Sequence, residues 1–122
     1  MDFLKRTIVA VDDSPIILKM LECLLKGKYE FRGFTKGDRA LTYLREKYVN
    51  LVILDIDMPD INGFDMLDMI RGDLRLEMPI VMLTSNNDKN HVIECFKRGA
   101  NDYAVKPLDE LLFMQKLEKL IK

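Results

Sequence analysis

Histidine occurs once in this chain, as His91, and cysteine twice, as Cys23 and Cys95, with neither cysteine in a CxxC pair. Those residues are too few to build a zinc site or a disulfide scaffold. No long apolar stretch follows Met1-Asp2-Phe3-Leu4-Lys5-Arg6, and the apolar run from Ile8 to Val11 stops at two aspartates. The expectation is therefore a soluble, cytoplasmic protein without a membrane partner. An excess of charge is missing too: 19 Lys+Arg stand against 20 Asp+Glu, a formal net charge of -1, which excludes a broad electrostatic grip on nucleic acid. Neither GxxxxGK[ST] nor GxGxxG occurs, so the glycine-rich loops that cradle nucleotide phosphates are absent. No repeat, low-complexity tract or linker interrupts the sequence.

What is present is a core. The 122 residues are 48% hydrophobic, enough for one domain over residues 1–122 and too much for intrinsic disorder. Short apolar runs alternate with stretches of helical period, the pattern of repeated strand-helix units around a parallel sheet with helices on both faces. Strands are expected at 7–11, 29–34, 51–54, 79–83 and 103–105, the second weak and partly polar as an edge strand would be. The first helix follows Ser14 as N-cap and Pro15 at its first position, with Gly27 as its stop. The second presents Ala40, Leu41, Leu44 and Tyr48, the third spans 64–71, and a polar fourth runs to about Arg98 before Gly99. A terminal helix carries Leu108, Leu111, Leu112, Leu117, Leu120 and Ile121. Met66, Met69, Met78, Met82 and Met114 read as core filler, Cys23 and Cys95 as small buried hydrophobes, and His91 as a solvated surface residue. Asp60, Asp65, Asp68 and Asp73 read as a solvated acidic face around the third helix.

Open α/β sheets bind ligands beyond the carboxyl ends of their strands. In this chain the first strand delivers Asp12 and Asp13 to that edge, the third Asp55, the fourth Thr84 and the fifth Lys106. Three carboxylates brought together repel, and the simplest neutraliser is a hard divalent cation, Mg²⁺ by preference, which also binds phosphate oxygens. A hydroxyl and a lysine beside it are what phosphoryl transfer needs, and a strand-end carboxylate can itself be the nucleophile, with Asp55 the central candidate.

The chain resembles the receiver domains of bacterial two-component response regulators, in the manner of the single-domain chemotaxis regulator. The resemblance rests on Val11-Asp12-Asp13-Ser14-Pro15, on Ile53-Leu54-Asp55-Ile56-Asp57-Met58-Pro59 with Asn62-Gly63-Phe64, on Leu83-Thr84-Ser85, and on Gly99-Ala100-Asn101-Asp102-Tyr103 with Lys106-Pro107. It implies a doubly wound, flavodoxin-like sheet of order 2-1-3-4-5 and a cis bond at Lys106-Pro107. By position, it makes Asp55 the phosphoacceptor. It makes Asp13, Asp55 and the backbone carbonyl of Asp57 Mg²⁺ ligands, with Asp12 acting through water. Thr84 then resembles the hydroxyl that moves to the phosphate, Lys106 its pairing cation, and Tyr103 the aromatic switch. The side chains of Asp57 and Asn86 fall where the family varies and tunes phosphate lifetime.

The partners implied are a sensor histidine kinase or histidine phosphotransfer protein upstream and an effector domain or target protein downstream. The face of helix four, strand five and helix five is the implied readout, and a phosphorylation-dependent homodimer is compatible with it. The resemblance implies a signalling module rather than a turnover enzyme. Leu54-Asp55-Ile56-Asp57 also resembles the nucleophile motif of haloacid dehalogenase-like phosphatases, but that motif opens its fold on the first strand, and here it closes the third. A receiver-like module that only binds partners is the other alternative, and the retained acids, Thr84 and Lys106 argue against it.

Overall fold

The alternation of apolar residues along each strand fixes the layering. In the computed structural model, which describes residues 5–121, Ile8 and Ala10 of β1 (Thr7–Val11) face one way while Val9 and Val11 face the other, and all four are fully buried. The same two-residue period splits β3 (Leu51–Asp55) into Leu51 and Ile53 against Val52 and Leu54, and β4 (Ile80–Thr84) into Val81 and Leu83 against Ile80 and Met82. A strand apolar on both faces needs cover on both, which only a parallel sheet between helical layers gives. Helices α1 (Pro15–Leu25) and α5 (Glu110–Leu120) supply Leu21, Leu25, Phe113 and Leu117 to one side. The opposite side receives Ala40 and Leu44 of α2 (Gly37–Glu46), Met66 and Leu67 of α3 (Gly63–Asp68), and Cys95 of α4 (Lys89–Lys97).

With β2 (Glu30–Phe34) and β5 (Asp102–Val105) at the edges, the five parallel strands lie in the order β2-β1-β3-β4-β5. From β1 the chain winds outward to β2 and then returns past it to β3 on the other flank. The crevice where the winding reverses opens over the carboxyl ends of β1 and β3, and therefore over Asp12 and Asp55.

Local chemistry accounts for most element ends. Ser14 Oγ accepts from the Ile17 amide at 3.3 Å and Pro15 opens α1, while Asn62, Asp88 and Asp109 cap α3, α4 and α5 with their side chains. Gly99 takes φ +107 after α4, a conformation open to glycine. Gly27 behaves differently from its expected role. Lys26 caps α1 in right-handed conformation, and the stop is a main-chain turn in which the Lys28 and Tyr29 amides bond the Leu25 carbonyl at 3.0 and 2.9 Å. Helix α3 continues as a π-helical turn, Met69–Asp73, a widening the sequence does not announce.

Four residues expected on buried faces are exposed. Tyr48 lies beyond α2 and is 84% exposed, Leu111 and Leu112 are exposed, and Cys23 is exposed on α1, whereas Cys95 is buried as expected. Helical spacing told which residues share a stripe, but each stripe is wider than the layer that covers it. The Lys106-Pro107 bond is cis. The segment Met1-Asp2-Phe3-Leu4, read as lacking a signal, lies outside the described residues. No helix among the described residues is long and apolar enough to cross a membrane.

Candidate functional site

Each apolar strand ends by lifting a polar side chain into the crevice. Asp12 follows β1 and is fully buried, and its Oδ1 accepts from the Ser14 amide at 2.9 Å, which aligns it over the strand end. Asp13, next along, is exposed. Asp55 closes β3 at 2% exposure, with Oδ1 accepting from the Asp57 amide at 3.3 Å. A carboxylate oxygen of each of Asp12, Asp13 and Asp55 can be chosen so that all lie within 4.8 Å of one another. The turn after β3 is held by Gly63, whose amide bonds the Ile56 carbonyl at 2.9 Å. A Cβ at that position would stand 2.5 Å from the Asp55 carbonyl oxygen, so only glycine lets α3 approach the strand end.

Lys106 reaches the crevice from beyond β5, where its amide bonds the Thr84 carbonyl at 2.8 Å. Its Nζ donates to Asp55 Oδ1 at 3.1 Å and lies 3.1 Å from Asp12 Oδ2. That Asp12 oxygen is buried, and the Lys106 ammonium is the group that faces it. One ammonium therefore pairs with two of the three carboxylates. Burial, and after it the charge of Asp12, raises the Asp55 carboxyl from 3.8 to about 6, against the pull of Lys106 and the Asp57 amide. Burial draws the Lys106 ammonium down, but hydrogen bonds and charge from Asp12 and Asp55 outweigh it, leaving that group raised. An incompletely neutralised set of clustered oxygen donors fits a hard divalent cation.

Thr84 ends β4 fully buried, but its hydroxyl turns away from the carboxylates. It donates to the Asn86 carbonyl at 3.0 Å, accepts from the Asn86 amide at 2.9 Å, and meets His91 Nε2 at 3.1 Å. His91 is thus half-buried and engaged with Thr84, not the solvated residue expected from its polar helix. The Asn86 side chain does not enter the crevice contact either, since its Oδ1 accepts from the Asp88 amide at 2.8 Å. Tyr103 stands on β5, half-buried, with the Phe96 ring edge-on at 6.2 Å and Lys116 Nζ 4.8 Å above its face. Asp57 is exposed. The acids Asp60, Asp65, Asp68 and Asp73 are exposed as expected, though Asp68 accepts from Arg98 at 2.8 Å.

The response regulator receiver domain family matches residues 8–118. The chain is a response regulator receiver domain. Among curated relatives it is 38% identical over 108 residues to the DNA-binding response regulator MtrA of Mycolicibacterium smegmatis, a match covering 88% of this chain and 46% of that protein. It is also 38% identical over 104 residues to the two-component response regulator ARR12 of Arabidopsis thaliana, covering 83% of this chain and 17% of that one. The chain therefore spans about half the length of the first of these relatives and much less of the second.

Solved structures similar to this receiver include chemotaxis protein CheY4 of Vibrio cholerae, with a TM-score of 0.89, 27% identity, and 96% and 99% of the two chains covered. The BeF3-activated DrrB receiver domain follows with a TM-score of 0.86 and 28% identity over 96% and 97%. Receiver domains are signalling domains rather than enzymes of small-molecule turnover, and phosphorylation on aspartate with Mg²⁺ binding is general to the family. The phosphatase resemblance of the β3 end is thereby set aside.

Proposed function

We propose that residues 1–122 act as one phosphoacceptor unit in which Asp55 takes a phosphoryl group from a phosphohistidine of a sensor kinase or phosphotransfer protein. The observation that carries this reading is the buried Asp55 carboxylate at the mouth of the β1/β3 crevice, with Asp12, Asp13 and Lys106 gathered around it. A carboxylate oxygen of Asp55 attacks phosphorus, the phosphorus–nitrogen bond to the donor imidazole breaks, and the imidazole leaves with the bond's electron pair. Asp13, Asp55 and the Asp57 carbonyl would hold Mg²⁺, with Asp12 acting through water. Bound there, the cation supplies positive charge to the phosphoryl oxygens.

Lys106 already pairs with Asp55 and is placed to follow the charge onto an acyl phosphate. Thr84, whose hydroxyl is bonded in the β4–α4 loop, is the group that would turn toward the new phosphate, with Tyr103 responding beside it. Exposed Phe96 of α4 stands edge-on to Tyr103, and exposed Leu112 of α5 lines a cavity with it, which supports the α4-β5-α5 face as the surface read by a downstream effector or target. Direct nucleic-acid binding is not assigned to this near-neutral unit.

The test is intact-protein mass after incubation with Mg²⁺ and acetyl phosphate. One phosphoryl group gained by the wild type, lost on chelation and absent from Asp55→Ala and Asp55→Asn, is the expected result. An adduct that persists in both variants would move the acceptor elsewhere, and steady phosphate release without an adduct would restore a phosphatase.

A further inference from the structure

The single histidine sits where the phosphoacceptor reading assigns nothing. His91 is the third residue of α4, and its Nε2 lies 3.1 Å from Thr84 Oγ1. A threonine hydroxyl has one proton and two lone pairs. The Asn86 carbonyl, at 3.0 Å, can only accept and so takes the proton, and the Asn86 amide, at 2.9 Å, can only donate and occupies one lone pair. The remaining lone pair meets His91 Nε2, which completes the set only if that nitrogen carries hydrogen. The hydroxyl is then saturated. It has no donor left for a phosphoryl oxygen until this arrangement is broken.

The ring cannot simply follow the hydroxyl. The Phe64 ring, at the start of α3, meets it edge-on with centroids 5.4 Å apart, and the Arg98 guanidinium covers Phe64 at 4.9 Å. Arg98 is in turn tied to Glu94 at 2.7 Å and Asp68 at 2.8 Å. His91 is therefore a donor braced by α3 and the end of α4, aimed at the one hydroxyl that the switch must move. We propose that His91 is a positioning residue that holds Thr84 in its unphosphorylated arrangement and so sets how strongly phosphate must pull to switch the domain. This rests on the reading of Asp55 as phosphoacceptor and Thr84 as the group that turns to the phosphate.

Losing this bond should favour the switched arrangement by about five-fold, the weight of one hydrogen bond of ordinary net strength. Three variants of the full chain separate the donor from the packing: His91→Phe and His91→Leu remove the donor, whereas His91→Gln keeps an amide N–H. Beryllofluoride with MgCl₂ is titrated into each and followed by backbone amide NMR, with thermal melts confirming that each variant folds. The expected result is a midpoint about five-fold lower for His91→Phe and His91→Leu, and His91→Gln within about two-fold of wild type.

Because the chain has one histidine, its ring nitrogens can also be read directly by nitrogen NMR. Hydrogen on Nε2 is expected in the absence of beryllofluoride. Hydrogen on Nδ1 instead, a wild-type midpoint in both donorless variants, or failure of His91→Gln to restore the wild-type midpoint would each overturn the proposal while leaving Asp55 as acceptor. If the wild type neither binds beryllofluoride nor gains a phosphoryl group from acetyl phosphate, the phosphoacceptor reading falls and the proposal with it. The ring measurement, made without any phosphate analogue, keeps these failures distinct.

Discussion

Asp55 shows how a single buried charge works against stability. Its carboxyl is raised to about 6 by burial and then by Asp12, above the 3.8 that an unfolded chain would show. A raised folded value means that the folded state favours the protonated form. The stabilisation is complete below 3.8 and is lost as pH rises through about 6, so the metal-free protein is disfavoured at neutral pH by ionising this group. Asp55→Asn removes that charge while keeping an acceptor for Lys106. In EDTA at pH 7.5 the variant should be the more stable, by roughly 2 kcal/mol, and the advantage should shrink toward pH 4.5. Thermal melts of both proteins at the two pH values measure this, and a variant melting below the wild type at pH 7.5 would contradict it. Residue by residue, the sequence disclosed Asp12, Asp13, Asp55 and Lys106 because charge at the end of an apolar strand has few structural uses. It did not disclose His91, since a histidine one turn into a polar helix looks solvated. Only the fold shows that the first turn of α4 leans back over the end of β4.

Among the elements, the strands were readable almost to the residue, because short apolar runs stopped by a polar residue have no competing helical period. Helix faces were less so. Leu111, Leu112 and Tyr48 repeat at helical spacing yet remain exposed, and which side of a stripe meets the sheet depends on packing between layers. The π-helical turn after α3 was hidden for the same reason. It carries Arg71, whose guanidinium bonds the carbonyls of Leu76, Met78 and Gly99 and the side chain of Asn101, at 2.9, 2.8, 3.0 and 2.9 Å. Arg71 thus joins α3, the approach to β4 and the approach to β5 with one rigid fork. Lysine cannot reproduce it. Arg71→Lys should cost about 2 kcal/mol in urea unfolding without preventing phosphorylation of Asp55. A similar sensitivity belongs to the β3–α3 turn, where Gly63→Ala would press a methyl against the Asp55 carbonyl and the Ile56 backbone at 2.5 and 2.7 Å. That substitution should cost about 2 kcal/mol or more and also weaken phosphorylation, since any relief must displace the acceptor strand end.

For the whole molecule, the topology that makes the site also makes it unfavourable when empty. Winding from β1 out to β2 and back to β3 sets two strand ends side by side, each ending in a buried acid, with Asp13 beside them and one lysine to balance three carboxylates. The fold is held by apolar layers on both sides of the sheet, which tolerate this local repulsion. A cation that binds only the folded chain recovers it through mass action, adding about 1.4 kcal/mol at a concentration ten times its dissociation constant. The same carboxylates must be ionised to hold the ion, so stabilisation by the proposed Mg²⁺ should be large at pH 7.5 and small at pH 5, where Asp55 is mostly protonated. Melting the wild type with MgCl₂ or with NaCl of equal ionic strength, at both pH values, separates binding from screening. Asp13→Asn should abolish the Mg²⁺ increment at pH 7.5 and leave the NaCl response unchanged. An increment equal at both pH values, or one that survives Asp13→Asn, would place the ion away from the β1/β3 crevice and detach the charge imbalance there from metal binding.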